Sequence, residues 1–591
     1  MKKMLRRLAA AFLALALMIP TAGAAGGNSA GETIVRIGLA SSASGSKSEE
    51  LIGANLWNVE EHGSGFRFGY FDDHLDFVEL ARTEESMWQI SVIKSQNTWF
   101  IGMNRNTYSN TDNGGTVVGS YNLKLPGSYV DYDQARTDAE LSGGFVAYIN
   151  DHYEVRAGSY TTEEEAAAAS AAIPNSQVVT TGKYGMNVIQ NGTSDILFQY
   201  DVGKGGRLAI MPDLTGFSDP QCWFRGLKYR GAFTYERIGG GELTVVNVLE
   251  LEDYIKGVVP YEMGRSWPLE ALKTQAICAR TYAMRLKSRH SSLGFDLCPS
   301  DHCQVYNGVG NDSTSWGESK LSKRAVEETA GQVLRYKNRL AETVYSSSHG
   351  GASEDAKYIW GTDTDKEYPY LCGVVDPYEK YADDINGRAH WKVTYSRGEL
   401  NNRLHGKGYG VNASIDHMTL HYSELGNVIR LEVYWDNGQK NSFKPGGIRG
   451  TFGLNSIRFT VNGKTAHPGE GGENSGEGVR VNGADMLTSF EDLYVITGYG
   501  STGKASSDLY AVSGRGDKAP LMDNSSKPVD PSLNAGGGTV EVSGSSYTFE
   551  GAGWGHQVGM SQFGAYAMAE QGFTYDKICE FYFPGTHVGS I

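Results

Sequence analysis

The chain has 591 residues, too many for one domain; at roughly 150 residues each, three or four are expected. Its 76 glycines are a high share, but 34 tyrosines and 11% aromatic residues supply a core, and no Gly-X-Y period is visible. Disordered and collagen-like chains are thereby excluded, and a net charge of −15 argues against a basic face for nucleic acid.

At the N-terminus, Lys2, Lys3, Arg6 and Arg7 precede an apolar run from Leu8 to Ile19 and then Ala22-Gly23-Ala24. This is the order of a secretory signal peptide, predicted over 1–25. The run covers about 18 Å as a helix, short of the roughly 30 Å hydrocarbon core. An uncleaved anchor is the alternative, and no later segment is apolar enough to span a bilayer. Residues 30–143 read as a β-rich region with strands at 33–39, 66–70, 88–94 and 99–101 and little helical signal. Val35, Ile37 and Leu39 share one face of the first strand. From 144 the pattern changes. A strand at 152–158 leads to a helix at 163–172, opened by a Thr N-cap and three glutamates in its first turn. Strands follow at 177–180, 186–190 and 195–200.

Residues 205–591 read as one large domain. Its elements are an apolar strand at 243–249, a short helix at 251–258 and a long helix at 268–287 with Pro268 in the first helical position. A helix at 319–329 ends toward Gly331, and a hairpin pairs 332–336 with 340–345 across Lys337-Asn338. Gly-rich stretches near 464–478 and 498–538 read as exposed loops. The expected fold class is mixed α/β and β-rich.

Three segments of this domain hold unusual residue clusters. The first runs Leu251-Glu252-Asp253-Tyr254-Ile255-Lys256-Gly257-Val258-Val259-Pro260-Tyr261-Glu262-Met263 and on through Trp267-Pro268 to Gln275-Ala276. Read alone, Glu262 is a helix-start residue favoured by the dipole, or a carboxyl in apolar surroundings, which is how an acid is held protonated. The second is Cys298-Pro299-Ser300-Asp301-His302-Cys303-Gln304-Val305-Tyr306. Cys298, His302 and Cys303, with His290 as fourth ligand, form a set that zinc takes readily; a Cys298–Cys303 disulfide and free thiols are the alternatives. The third is Gly553-Trp554-Gly555-His556-Gln557-Val558-Gly559-Met560-Ser561-Gln562-Phe563-Gly564-Ala565. No phosphate-cradling GxxxxGK[ST] loop is present.

In their order and content these segments closely resemble the SpoIID/LytB family of bacterial cell-wall proteins. Ser346-Ser347-Ser348-His349-Gly350-Gly351 and Gly450-Thr451-Phe452-Gly453-Leu454-Asn455-Ser456 fit its intervening pattern. The resemblance covers roughly 205–591. Residues 144–204, with their VRAGSYTTEEEAAAASAA opening, resemble a SPOR-type module that binds peptidoglycan glycan strands; an unrelated α/β module is the alternative.

The family resemblance implies a lytic transglycosylase with Glu262 as its catalytic residue, acting outside the cytoplasm in sporulation or wall remodelling. It also implies a different reading, a non-catalytic enhancer of a cell-wall amidase. His556 is expected to touch substrate or support Glu262, and Gln562 to bond an acetamido group. Gln304 and Tyr306, of the CQ-x-Y turn, join them as substrate-binding residues. His349 is a weaker candidate. Gln557 stands where the family has a glycine, so the backbone there is an open question. SpoIID-type members bind zinc near the Cys298 segment with a slightly longer Cys-to-His spacing, so zinc is expected as a structural cofactor and not as a catalytic one. The expected partners are glycan strands and an amidase, with no nucleic acid and no transmembrane domain in the mature chain.

Overall fold

The structure, a computed structural model, describes residues 33–43, 48–102, 107–213, 216–311, 317–361, 367–465 and 537–591, and four short strands between 494 and 520. The expected signal peptide and most of the two Gly-rich loops lie outside the described residues. The fold is mixed α/β and β-rich. It divides into two compact units, one running to Gly257 and including Lys287–Gly317, the other formed by Val258–Leu286 and Glu318–Ile591. Among the described residues no helix is long and apolar enough to cross a membrane.

The first unit carries two large sheets. One has six strands, in the order Ile34–Ala40, Thr244–Glu250, Ala232–Glu236, Arg207–Pro212, Phe66–Phe71, Phe77–Arg82, with every neighbour antiparallel. Val35 and Ile37 are fully enclosed, as their shared face requires. The other sheet has ten strands, and its one parallel pair is Phe145–Ile149 with Ile196–Asp201. The strands expected in 144–204 form, at His152–Tyr160, Gln177–Val179, Met186–Gln190 and Ile196–Asp201, around the helix Glu163–Ser170 with its Thr162 capping box. They have no sheet of their own. Met186–Gln190 pairs with Gln89–Lys94, and Tyr121–Lys124 lies between His152–Tyr160 and Gln177–Val179. The boundary drawn at 204/205 therefore falls inside this unit, because strand pairing joins segments far apart in sequence.

One helix went unread in the sequence. Tyr132–Ser142 buries only Ala135 and Ala139, so its apolar stripe is too thin to stand out, although Asp131 caps its start and Gly143, at φ 66°, ends it.

In the second unit the expected long helix forms over Leu269–Arg285, with Pro268 at the N-cap and not the first helical position. Its enclosed face is wider than the predicted stripe: Thr274, Gln275, Arg280 and Thr281 are all fully buried. Arg280 is sustained there by donating from Nη1 to the Gln332 carbonyl at 2.9 Å. The helix Lys320–Glu328 follows, capped by Ser319, and then the hairpin Gln332–Tyr336 with Arg339–Leu340. The expected second hairpin strand is shorter than predicted and resumes as Tyr345–Ser346, which pairs in parallel with Met560–Ser561. A four-stranded sheet built on Ile415–Tyr422 and Val428–Trp435 and a three-stranded one built on Ser546–Ala552 share a core with Leu400, Ile448 and Phe452.

Candidate active site and metal-ligand cluster

Glu262 ends a single helical turn. Val259–Glu262 stops because Met263 turns to extended backbone at φ −124°, ψ 153°. Val258, Val259, Pro260 and Met263 are buried and seat the turn, while Glu262 stays half-buried. Its Oε2 accepts from Nε2 of Gln562 at 3.5 Å, and the same amide donates to Oε1 of Gln275 at 3.2 Å. The structure thus brings together Glu262 and Gln562, from opposite ends of the unit's sequence; the expectation for Gln562 was a bond to an acetamido group, and here its amide bonds Glu262. Gln275 is an addition that the sequence reading missed. It lies fully enclosed in the long helix, and its Nε2 has no partner among the described residues. Its sequence signal was its place at the end of the first motif cluster, an amide in an otherwise apolar helical face. Trp267, just past Glu262, packs its ring 4.9 Å from Phe563 and 5.2 Å from Tyr566, tying the Glu262 loop to the helix that Gln562 opens.

That helix, Gln562–Glu570, is capped by Ser561, whose Oγ accepts from the Gly564 N–H at 3.0 Å and donates to Oε2 of Glu379 at 2.6 Å. Glu379 also accepts from the backbone N–H groups of His349 and Gly350, each at 2.8 Å. Asp376 accepts from the backbone N–H of Glu379 at 3.0 Å and from the Tyr582 hydroxyl. Both acids are enclosed, and burial raises both carboxyls. Glu379, with the neighbouring charge of Asp376 as a second cause, is pushed up to about 7. The sequence reading passed over this pair because nothing in its spacing marks it.

The Gly553–Gly564 loop closes on the Ser346–Gly351 segment. Ser348 and Trp554 exchange backbone hydrogen bonds of 3.0 and 2.8 Å. Gly553, at φ 83°, sits where a Cβ would come within 2.7 Å of the Ser348 carbonyl oxygen. Gln557 adopts φ 64°, the left-handed backbone that glycine fills without strain. Here its buried side chain offsets that cost, accepting at Oε1 from the Ile457 N–H at 2.9 Å and donating from Nε2 to the His349 carbonyl at 2.7 Å.

His556, expected to touch substrate or support Glu262, is bonded to main chain. Its Nε2–H donates to the Tyr345 carbonyl at 2.9 Å, and its Nδ1 accepts from the Val558 N–H at 3.1 Å. Burial pushes its pKa down to about 4, so the ring is neutral at physiological pH. Both nitrogens are taken by main chain, so His556 has none left to bond a sugar or to serve Glu262. His349 is interior: it is fully enclosed, its Nε2 lies 3.2 Å from Ser346 Oγ, and burial pushes its pKa down to about 3.

Gln304 and Tyr306, expected to bind substrate, lie in the interior. Each is 1% exposed inside the first unit. Gln304 donates to the Tyr254 hydroxyl at 3.3 Å, and Tyr306 donates to Oδ1 of Asn247 at 2.7 Å while its ring packs 5.0 Å from Tyr254. They satisfy the polar groups of that core and present nothing to a glycan.

His290, Cys298, His302 and Cys303 converge in the first unit, their ligand atoms all within 4.8 Å of one another. Cys298 Sγ lies 3.4 Å from Nδ1 of His302, Cys303 Sγ 3.4 Å from Nε2 of His290, and Cys303 Sγ 3.8 Å from Nδ1 of His302. Zinc–ligand lengths of 2.0–2.3 Å give a tetrahedron with sulfur–nitrogen edges of about 3.6 Å, so the set fits the ion. Cys298 and Cys303 are not joined by a disulfide in this structure. The loop is anchored outside the ligands. Arg36 donates from its backbone N–H to Oδ2 of Asp296 at 2.9 Å and from Nη2 to Oδ1 at 2.8 Å.

The Glu262 motif lies in the stretch that is similar to a known family. Residues 239–336 match the SpoIID family, Stage II sporulation protein, and the chain carries a SpoIID-family domain. It is 28% identical over 338 residues to the Amidase enhancer of Bacillus subtilis, covering 57% of this chain and 40% of that protein. It is 27% identical over 352 residues to Stage II sporulation protein D of the same organism, covering 58% of this chain and 75% of that one. A 35% identical match over 191 residues, 32% of this chain and 47% of the relative, is to an uncharacterized protein of Brachyspira hyodysenteriae. The chain thus spans less than half the length of the first and third of these relatives.

Two outcomes are expected. Gln557→Ala keeps the left-handed backbone but leaves the Ile457 N–H and the His349 carbonyl unpaired, which should lower stability by about 2–4 kcal/mol in denaturant titration. Glu379 has a folded-state pKa above its ordinary 4.5. Its contribution is therefore fully present below about 4.5 and is lost as pH rises through about 7. Melting curves across that window should fall less steeply with pH for Glu379→Gln than for the unaltered protein.

Proposed function

We propose that this protein is an exported peptidoglycan lytic transglycosylase. It cleaves the bond between N-acetylmuramic acid and N-acetylglucosamine, and acts in sporulation or wall remodelling. The observation that carries the reading is Glu262: a half-buried carboxyl at the end of a helical turn, hydrogen-bonded by the Gln562 amide from the closing motif. The other acids of that network, Asp376 and Glu379, are 2% and 3% exposed and do not reach a polymer.

In this reaction one carboxyl serves twice. Glu262 protonates the leaving oxygen as an oxocarbenium-like centre develops. The C6 hydroxyl of the same sugar then attacks, and the carboxylate takes its proton. The product is a 1,6-anhydro sugar, and water takes no part. Gln562 and Gln275 hold the carboxyl in place while its proton leaves and returns. Residues 144–204 bind glycan strands, and the signal peptide at 1–25 directs export. The second reading is a non-catalytic enhancer of a wall amidase. The match to a protein named Amidase enhancer favours it.

His290, Cys298, His302 and Cys303 hold zinc in this reading. The ion ties His290 to the Cys298–Cys303 turn and so stabilises the first unit.

Glu262→Gln keeps shape but removes the transferable proton, so cleavage of purified glycan strands should slow by at least about 100-fold while binding survives. Mass spectrometry should find 1,6-anhydro ends. Full-rate cleavage by the variant, or reducing ends from the unaltered protein, would overturn the mechanism. Absence of cleavage together with stimulation of an amidase would establish the second reading. For the metal, elemental analysis of protein prepared without chelator should find about one zinc per chain. Cys303→Ser should lose the zinc and lower the melting temperature, and a metal-free unaltered protein would refute the site.

A further inference from the structure

Among the described tryptophans of the second unit, Trp267 is packed between Phe563 and Tyr566, Trp391 packs against Phe459 and donates to Ser456 Oγ, and Trp435 is buried. Trp554 is covered by the guanidinium of Arg388 at 3.7 Å. Trp360 differs. It ends the short helix Ala356–Trp360, which Asp355 caps, and the residue is 50% exposed. Single exposed apolar residues are ordinary; the support beneath this one is not. Its ring centroid lies 5.4 Å from that of His556, with the two planes tilted by 53°. The two backbone hydrogen bonds to Tyr345 and Val558 fix that imidazole in place. On the adjacent helix Pro445–Phe452, Arg449 donates from Nε to the Asn455 carbonyl at 3.2 Å, which holds its charge near His556 and disfavours a proton there. His556 also belongs to the loop that leads into Gln562, the residue bonded to Glu262.

We propose that Trp360 is a sugar-stacking subsite: its indole face takes the C–H face of one pyranose ring of the glycan strand, with the His556 ring as its rigid backing. The inference rests on the glycan reading above and adds to it a binding residue outside the segments quoted in the sequence analysis. A ring held in advance loses little freedom when a sugar settles on it, which is why the support matters as much as the exposure. His556 thereby acts through Trp360 as a positioning residue, without using either nitrogen.

The test is calorimetric titration of purified glycan strands into full-length protein carrying Glu262→Gln, so that binding is read without cleavage. Adding Trp360→Ala should weaken binding by about tenfold, while Trp360→Phe, which keeps a flat face, should stay within about threefold. Unchanged melting temperatures would show that the fold is intact. Equal binding with and without Trp360→Ala would overturn the subsite alone, as would Trp360→Phe failing as badly as alanine. No binding by the Glu262→Gln parent would overturn the subsite and the glycan reading together.

Discussion

The enclosed carboxyl of Glu379 gathers three separate stretches of the second unit. It receives the backbone N–H groups of His349 and Gly350 on one side and the Ser561 hydroxyl on the other, with Asp376 bonded to its own N–H. Ser561 caps the helix whose first residue is Gln562. The chain of contacts therefore runs from a buried acid to a helix cap, from the cap to an amide, and from the amide to Glu262. An acid without these donors would be too costly to enclose. With them, it fixes where the closing motif begins. The same Ser346–Gly351 segment meets the closing loop a second time, through Trp554 and through the Gln557 side chain. The Glu262 site thus inherits its geometry from packing that no glycan would touch.

Much of the site was legible because chemistry leaves residue types behind. A glutamate in an apolar turn, a glutamine in a Gly-rich closing motif and a compact Cys/His set were all visible, and the structure brings each group together. Burial was not visible. Gln304 and Tyr306 look like sugar-binding residues on the page, being an amide and a phenol two positions apart, yet both are spent satisfying Tyr254 and Asn247 in a core. His556 misled for the same reason: a histidine among glycines reads as reactive until its two nitrogens are found bonded to main chain. Glu379 shows the reverse error, an ordinary-looking acid whose importance lies in what surrounds it.

The fold shows the same division. Elements with dense apolar spacing or a strong cap, such as Leu269–Arg285 and Glu163–Ser170, appear near their expected places. Tyr132–Ser142, with two buried alanines, had only its caps to declare it. Sheet membership lay beyond reach, because the pairing of Met186–Gln190 with Gln89–Lys94 joins segments nearly a hundred residues apart, and alternation says which face is buried but not which strand lies alongside. The open question at Gln557 resolved in a way that no motif could show. A glycine's backbone is kept, and a side chain that glycine lacks supplies two buried hydrogen bonds.

The choice of partner for Glu262 fits the proposed chemistry. A carboxyl that gives a proton and then takes one back must remain competent in both forms. A lysine or arginine at 562 would favour the ionised form and oppose the first step. An amide contributes a hydrogen bond without a formal charge, so it orients the carboxyl without committing it. Gln275 continues this arrangement: it accepts from Gln562 and so turns that amide toward Glu262. A water-activating second carboxylate is unnecessary when the attacking hydroxyl belongs to the substrate. The structural demands then reduce to one acid, held in position, and a surface that holds the sugar chain above it.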